Sequence, residues 1–298
     1  MNENNTKNQF SVIIPTYKRY QYAKEVIKML QKQTHPPLEV IIVDATPVTT
    51  HEDISINYDP KWINYIPVDF MGNISRQRNI AIQKSRGNIL LFLDDDVEFD
   101  TDLLENYNEA FNETGADGIC GLILDNGKRR SFEYMRKRRP FLLDPGGINL
   151  RYENRIAETT VICTASFACK RKAIVKTGGF DENLYGSIED VDLGIRLKNA
   201  GFTIIHHHKP VLDHLSVQSS GSRSPSLGLI WKNSNFYYFQ MKHFYNDNHS
   251  SILIKSFYDF LRPSRLWLKP FFIYNHLKVL PEAYRQARYR ILDGPKYI

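Results

Sequence analysis

The chain has 298 residues, 42% of them hydrophobic, which suits one large domain or a domain with a smaller appendage. No run is apolar for long enough to span a bilayer, and the polar start MNENNTKNQF has no signal-peptide core. The net charge of +6 is local, because residues 255–298 carry nine Lys/Arg against three Asp/Glu; this excludes a generally basic nucleic-acid binder and indicates an anionic surface or partner at one end.

In chain order, FSVII (10–14) reads as a strand ending at Pro15. YQYAKEVIKMLQKQ (20–33) has helical spacing through Ala23, Val26, Ile27 and Leu30. EVIIVD (39–44) is a second buried strand with an acid at its carboxyl end. SRQRNIAIQKSRG (75–87) is a helix stopped by Gly87, and it feeds the apolar strand 89–93. LLENYNEAFNE (103–113) is a further amphipathic helix and DGICGLIL (117–124) a further strand. Strands that alternate with helices predict a parallel sheet with right-handed crossovers. Lys128, Arg129, Arg130, Arg136, Lys137, Arg138 and Arg139 then form a basic segment, either a solvated loop or a face toward a phosphorylated acceptor. TVICTASFACKR (160–171) reads as a strand and IEDVDLGIRLKNAG (188–201) as a helix. TIIHHH (203–208) and PVLDHLS (210–216) read as two more strands. In the first of these, His206, His207 and His208 alternate faces, which fits packing better than a metal tract. Residues 216–226 are a Ser/Gly-rich loop, with Arg223 either a cover for a diphosphate or a linker residue. Residues 227–298 look helical, broken at Pro263, Pro270 and Pro281. Three cysteines, Cys120, Cys163 and Cys169, form no CxxC pair and read as core filler in a reducing, cytoplasmic setting.

The strand 89–93 raises the chemical question, because it runs directly into Asp94, Asp95 and Asp96. Ligands of open α/β sheets bind at the carboxyl ends of strands, and three adjacent carboxylates raise one another's pKa. A divalent cation relieves that repulsion with the oxygen ligands it prefers. The plainer alternative is that one Asp caps the helix starting near Asp100 and the others are solvated.

PTYKR (15–19), Asp44, SRQRN (75–79), FLDDD (92–96), GGFDENLYGSIEDVDLGIRL (178–197) and His214 occur in an order and spacing that resembles the family-two inverting glycosyltransferases. The resemblance covers roughly residues 10–220. It implies an α/β GT-A fold, a Rossmann-like mixed, mostly parallel sheet flanked by helices. The catalytic domain would be residues 1–225, with a basic, aromatic helical C-terminal extension at 226–298. It further implies that Pro15, Thr16 and Asp44 hold the base and ribose of a nucleoside-diphosphate sugar and that Arg78 lies near its base or phosphates. Asp94 would contact the nucleotide sugar on its ribose side, with Asp95 beside it at the donor. Asp96 would bind a divalent metal (Mn or Mg), with His214 as a further ligand or phosphate contact, and Asp190 would be the general base. VDATP stands where the family often has V-D-D-G-S, so Ala45 removes one polar contact to the nucleotide.

The chemistry is consistent with these roles. Sugar transfer from a nucleotide needs its departing diphosphate neutralised, and inversion by single displacement needs one carboxylate to take the acceptor's proton. Asp190 lies near a helix amino end, which favours its ionised form. The other reading of Glu189, Asp190 and Asp192 is ordinary enrichment of acids in a first helical turn. A sugar nucleotidyltransferase would cradle a triphosphate on a Gly-rich loop, where this chain has PTYKRYQ. A non-catalytic sugar-nucleotide or glycan-binding protein would be marked by loss of the acids, all of which are present. The expected partners are the donor, a glycan or lipid-linked acceptor, and an anionic membrane surface reached by the basic, aromatic segment 255–298, with no nucleic acid. The alternative for that segment is packing against the catalytic domain. The expected location is cytoplasmic, peripheral on the inner face of the membrane.

Overall fold

The structure is a computed structural model that describes residues 8–47, 58–70, 72–128, 154–184, 186, 188–216, 229–244 and 270–298. Arg129 to Arg139, Arg223, Phe257, Tyr258, Phe260 and Trp267 lie outside the described residues. The strands are β1 (Phe10–Thr16), β2 (Glu39–Asp44), β3 (Ile63–Pro67), β4 (Ile89–Leu93), β5 (Val97–Glu98), β6 (Gly118–Asp125), β7 (Ala157–Glu158), β8 (Ser166–Lys170) and β9 (Ile204–His214). The helices among the described residues are α1 (Tyr20–Gln31), α2 (Ile74–Lys84), α3 (Leu103–Thr114), α4 (Arg171–Lys176), α5 (Glu189–Asn199), α6 (Leu229–Phe244) and α7 (Pro270–Asp293). The nine strands belong to one sheet of order β3-β2-β1-β4-β8-β6-β9-β5, with β7 on β9. The β3-β2-β1-β4 half is parallel throughout, β8 runs antiparallel between β4 and β6, and β6 and β9 are again parallel.

The continuous apolar runs of β1, β2 and β4 follow from burial on both faces. Alternate side chains go to opposite sides. Val12, Ile14, Val40, Ile42, Leu91 and Leu93 meet α1 and α3 on one face. Ile13, Ile41, Val43, Leu90 and Phe92 meet α2, α4 and α5 on the other. A third core joins Val161, Leu184 and Val191 to Tyr237, Tyr238, Phe239, Met241, Ala283 and Ala287, so the C-terminal helices pack on the α5 side of the sheet.

Three local expectations differ from the structure. The apolar run at 160–171 pairs as a strand only over β8, because Ser166 N donates to Cys163 O in a turn and the chain turns into α4 at Arg171. The stretch before that turn instead presses on α5, where a Cβ on Gly194 would lie 2.1 Å from Thr160 O. The two strands expected at 203–216 are one strand, β9, whose pairing with β6 shifts register opposite Cys120 and Leu122. The shift absorbs Pro210, which would otherwise end a strand. Pro281 does not break α7, which starts at Pro270, where a missing N–H costs nothing, and continues to Asp293. His206 and His207 are fully buried, and the His207 and His208 rings stack at 5.2 Å. The three cysteines are unbridged, with Cys120 and Cys169 buried.

Candidate active site

The carboxyl ends of β1, β2 and β4 put Thr16, Asp44 and the Asp94–Asp96 run along one edge of the sheet. Thr16 and Asp44 are register partners, and buried Gln77 from α2 ties the two strand ends by donating to Thr16 O and Val43 O. Pro15 belongs to the same buried strand end. Asp44 is fully buried and accepts from Thr46 N (2.8 Å) and Tyr65 Oη (2.6 Å).

The three aspartates are separated by their partners. Asp95 accepts from Thr16 Oγ1 at 2.7 Å and from Arg19 at 2.9 Å. Burial pushes its pKa up to about 6, against the pull of Arg19. Asp94 and Asp96 each give one oxygen to an arginine and the other to a shared histidine. Asp94 Oδ1 lies 3.4 Å from Arg78 and Asp96 Oδ2 3.1 Å from Arg19. His214 Nε2 then stands 3.5 Å from Asp94 Oδ2 and 3.4 Å from Asp96 Oδ1. One ligand atom from each of these three residues falls within 4.8 Å of the others. Neither Asp95 nor Asp96 is a solvated cap, since both are buried, and α3 is preceded by Asp102.

His214 reaches the acids through strand pairing. Short β5 follows directly after Asp96 and pairs antiparallel with the end of β9, Val97 opposite His214, while Leu215 N donates to Asp96 O at 3.0 Å. His214 Nδ1 is hydrogen-bonded to Ser216 Oγ at 2.8 Å, which turns Nε2 toward the carboxylates.

The first turn of α5 supplies the second half of the site, and its three acids have three different surroundings. Glu189 Oε1 accepts from Arg78 at 3.1 Å. Arg78 is 2% exposed and therefore bridges Asp94 and Glu189 in the interior. Burial, together with the charge of Asp190, pushes Glu189 up to about 7 despite Arg78. Asp192 is fully buried among Arg196 (2.8 Å), Lys242 (2.6 Å) and His243 (2.7 Å). Burial works to raise its pKa, but the hydrogen bond from His243 and the charges of Arg196 and Lys242 hold it well below the usual carboxylate range. Asp190 is half-buried; its Oδ1 accepts from Val191 N at 2.8 Å, and it makes no ion pair among the described residues.

The structure thus gathers Asp94, Asp96 and His214 into one cluster and puts Asp95 and Thr16 in direct contact behind it. Asp44 stands beside Thr16, and Arg78 runs from the cluster to the residue preceding Asp190. Sequence reasoning missed Arg19, although it stands in the quoted PTYKR segment, and missed the pairing of Arg78 with Glu189. Two carboxylates and an imidazole make a mixed oxygen–nitrogen donor set suited to a divalent ion.

A mixed, mostly parallel sheet flanked by helices is the fold of GT-A glycosyltransferases, and solved structures share it. The chain superposes on the mannosyltransferase PcManGT of Pyrobaculum calidifontis, crystallised with GDP-Man and Mn2+, with a TM-score of 0.57 at 15% identity over 97% of this chain and 76% of that one. Staphylococcus aureus TarS gives a TM-score of 0.56 at 19% identity over 78% of this chain and 38% of that one. The model of glycosyl transferase family 2 matches residues 11–179, and the chain belongs to that family. The O-antigen chain rhamnosyltransferase WbaN of Salmonella anatum is 25% identical over 209 residues, which are 66% of this chain and 63% of the relative. The GalNAc(5)-diNAcBac-PP-undecaprenol beta-1,3-glucosyltransferase of Campylobacter jejuni is 22% identical over 60% of this chain and 57% of its own length. The chain therefore spans less than two thirds of either relative.

Proposed function

We propose that the protein is an inverting, metal-dependent glycosyltransferase that moves a sugar from a nucleoside-diphosphate sugar to a hydroxyl of a glycan or lipid-linked saccharide. The observation that carries this reading is the Asp94–Asp96–His214 cluster joined through Arg78 to the turn bearing Asp190. In this reading Asp94, Asp96 and His214 hold a divalent ion, Mn or Mg, which when bound neutralises the diphosphate as it leaves. Pro15, Thr16, Asp44 and Asp95 form the wall against which the nucleotide is placed. Arg78 adds a fixed positive charge between the donor and the α5 turn, which favours a diphosphate there. Asp190 takes the proton of the acceptor hydroxyl as that oxygen attacks the sugar carbon, a role that suits a half-buried carboxylate with no ion pair among the described residues.

The names of the relatives, O-antigen chain and undecaprenol-linked enzymes, support a place in surface-polysaccharide assembly on a lipid-linked acceptor. No helix among the described residues is long and apolar enough to cross a membrane. The described side chains of α7 divide between two environments: Tyr284 packs against the third core, whereas Tyr289 and Leu292 are 62% and 74% exposed beside exposed Arg285 and Arg288. That outer face fits peripheral docking on the cytoplasmic, anionic side of a membrane. Co-sedimentation with anionic but not neutral vesicles, weakened by salt, would support docking; equal pelleting with both would refute it.

The function itself is tested by incubating the protein with a panel of nucleotide sugars and Mn2+ or Mg2+. Release of nucleoside diphosphate from one donor, with none in a chelator, is expected. Release from none of them, with or without glycan acceptors, would overturn the assignment.

A further inference from the structure

The segment that carries Asp190 begins and ends on buried aspartates, and one side chain from the C-terminal helices meets both. Asp181 and Asp192 are fully buried. Lys242 Nζ, from α6, lies 2.7 Å from Asp181 Oδ2 and 2.6 Å from Asp192 Oδ1. The ammonium therefore closes residues 181–192 into a loop pinned at its ends. Burial alone would lower the lysine's pKa, but Asp192 and Asp181 hold it above its ordinary range, so the staple stays charged.

The surrounding contacts tighten the same joint. Tyr238 Oη donates to Asp181 at 2.7 Å, and His243 is hydrogen-bonded to Asp192 at 2.7 Å. The Tyr297 ring lies 4.9 Å from Lys242 Nζ and 4.7 Å from the Arg196 guanidinium, and Lys296 N donates to Asp181 Oδ1. Inside the loop, Ile188 has a φ of +72°, a conformation that a β-branched residue adopts only when its surroundings impose it. Asp190 follows two residues later with no ion pair of its own among the described residues, so its carboxylate stands wherever the backbone of this turn is held. Arg78 holds that turn through Glu189 on the donor side, and Lys242 holds it through Asp192 on the other.

We propose that Lys242 is a positioning residue, which staples both ends of the 181–192 segment from the C-terminal helices and thereby sets the Asp190 carboxylate at its working distance from the acceptor hydroxyl. The inference rests on the reading of Asp190 as the base, and it makes the C-terminal helices part of the catalytic unit. A misplacement of about 1 Å at a reacting group costs about 10²-fold in rate.

The test compares Lys242→Met, Lys242→Arg and the paired variant Asp181→Asn with Lys242→Met, which removes one buried charge of each sign and so guards against a failure to fold. Two readouts are taken: turnover of the nucleotide sugar that the donor panel identifies, and hydrogen–deuterium exchange across 183–191. Lys242→Met and the paired variant should lose about 10- to 100-fold in kcat with donor KM within about twofold. Exchange in 183–191 should quicken while the β1, β2 and β4 amides stay protected, and Lys242→Arg should restore most of both. Wild-type kcat and protection in the folded Met or paired variant would overturn the proposal. So would a loss in which kcat, KM and melting temperature move together in every variant, which is a merely structural role. If the wild type turns over no donor, the assigned function falls, while unchanged exchange in 183–191 would separately refute the staple.

Discussion

Replacing Glu189 with glutamine should stabilise the protein by an amount that grows as pH rises from about 4.5 to 7 and is constant above. Glu189 is 7% exposed, and its pKa is pushed up to about 7 from an ordinary 4.5, first by burial and then by Asp190. Between about pH 4.5 and 7 the folded state keeps a proton that the unfolded chain has released, so stability falls as pH rises through that window and levels off above it. One pKa unit corresponds to about 1.4 kcal/mol, so holding Glu189 ionised in the fold costs about 3 kcal/mol at pH 8. Glutamine keeps a carbonyl oxygen to accept from Arg78 and has no charge to bury. The advantage of Glu189→Gln over the wild type should therefore grow by about 2–3 kcal/mol between pH 5 and pH 8. Urea unfolding at the two pH values reads this as a divergence of roughly 1 M in midpoint, at a slope of about 2–3 kcal/mol/M. A difference that does not change with pH would refute the reasoning. One that reverses would show that Arg78 outweighs burial and holds Glu189 ionised.

Other outcomes follow from single contacts. Asp190→Asn should lower turnover by about 10²–10⁴ while donor affinity measured by calorimetry stays level; a proportional loss of binding would move Asp190 to the donor site. Gly194→Ala should destabilise by about 1–3 kcal/mol or more, because its Cβ would stand 2.1 Å from Thr160 O, a backbone atom that cannot swing away; an unchanged melting temperature would contradict that packing. Tyr65→Phe removes the 2.6 Å hydrogen bond to buried Asp44 and should cost about 1.5–3 kcal/mol in thermal unfolding, with a rise in donor KM if Asp44 serves the nucleotide. A variant with wild-type stability would show that water replaces the phenol.

The parts of the fold that were legible in the sequence are those where burial writes the pattern directly. β1, β2 and β4 are continuous apolar runs because helices cover both faces of the sheet, and α1 shows its inward stripe at Ala23, Val26, Ile27 and Leu30. The acids at the carboxyl end of β4 were legible for the same reason. What failed locally was decided by tertiary pairing. Residues 160–165 have strand composition but pair with no strand among the described residues, and β9 continues through Pro210 because a register shift takes it up. The approach of His214 to Asp94 and Asp96 depends on β5, a strand of two residues with no periodicity to read; the resemblance to the family suggested the residue, and pairing supplies the cause. Nor could spacing separate the acids of α5, since Arg78 and Lys242 reach them from α2 and α6.

The central claim, that Asp94, Asp96 and His214 form a metal site serving sugar transfer, is tested most directly by Mn2+ titration of the wild type, Asp96→Asn and His214→Ala, followed by electron paramagnetic resonance. The wild type should bind one Mn2+ per chain, and each variant should bind it about tenfold or more weakly, with its melting temperature in the absence of metal close to that of the wild type. Equal Mn2+ binding by all three proteins would contradict the account.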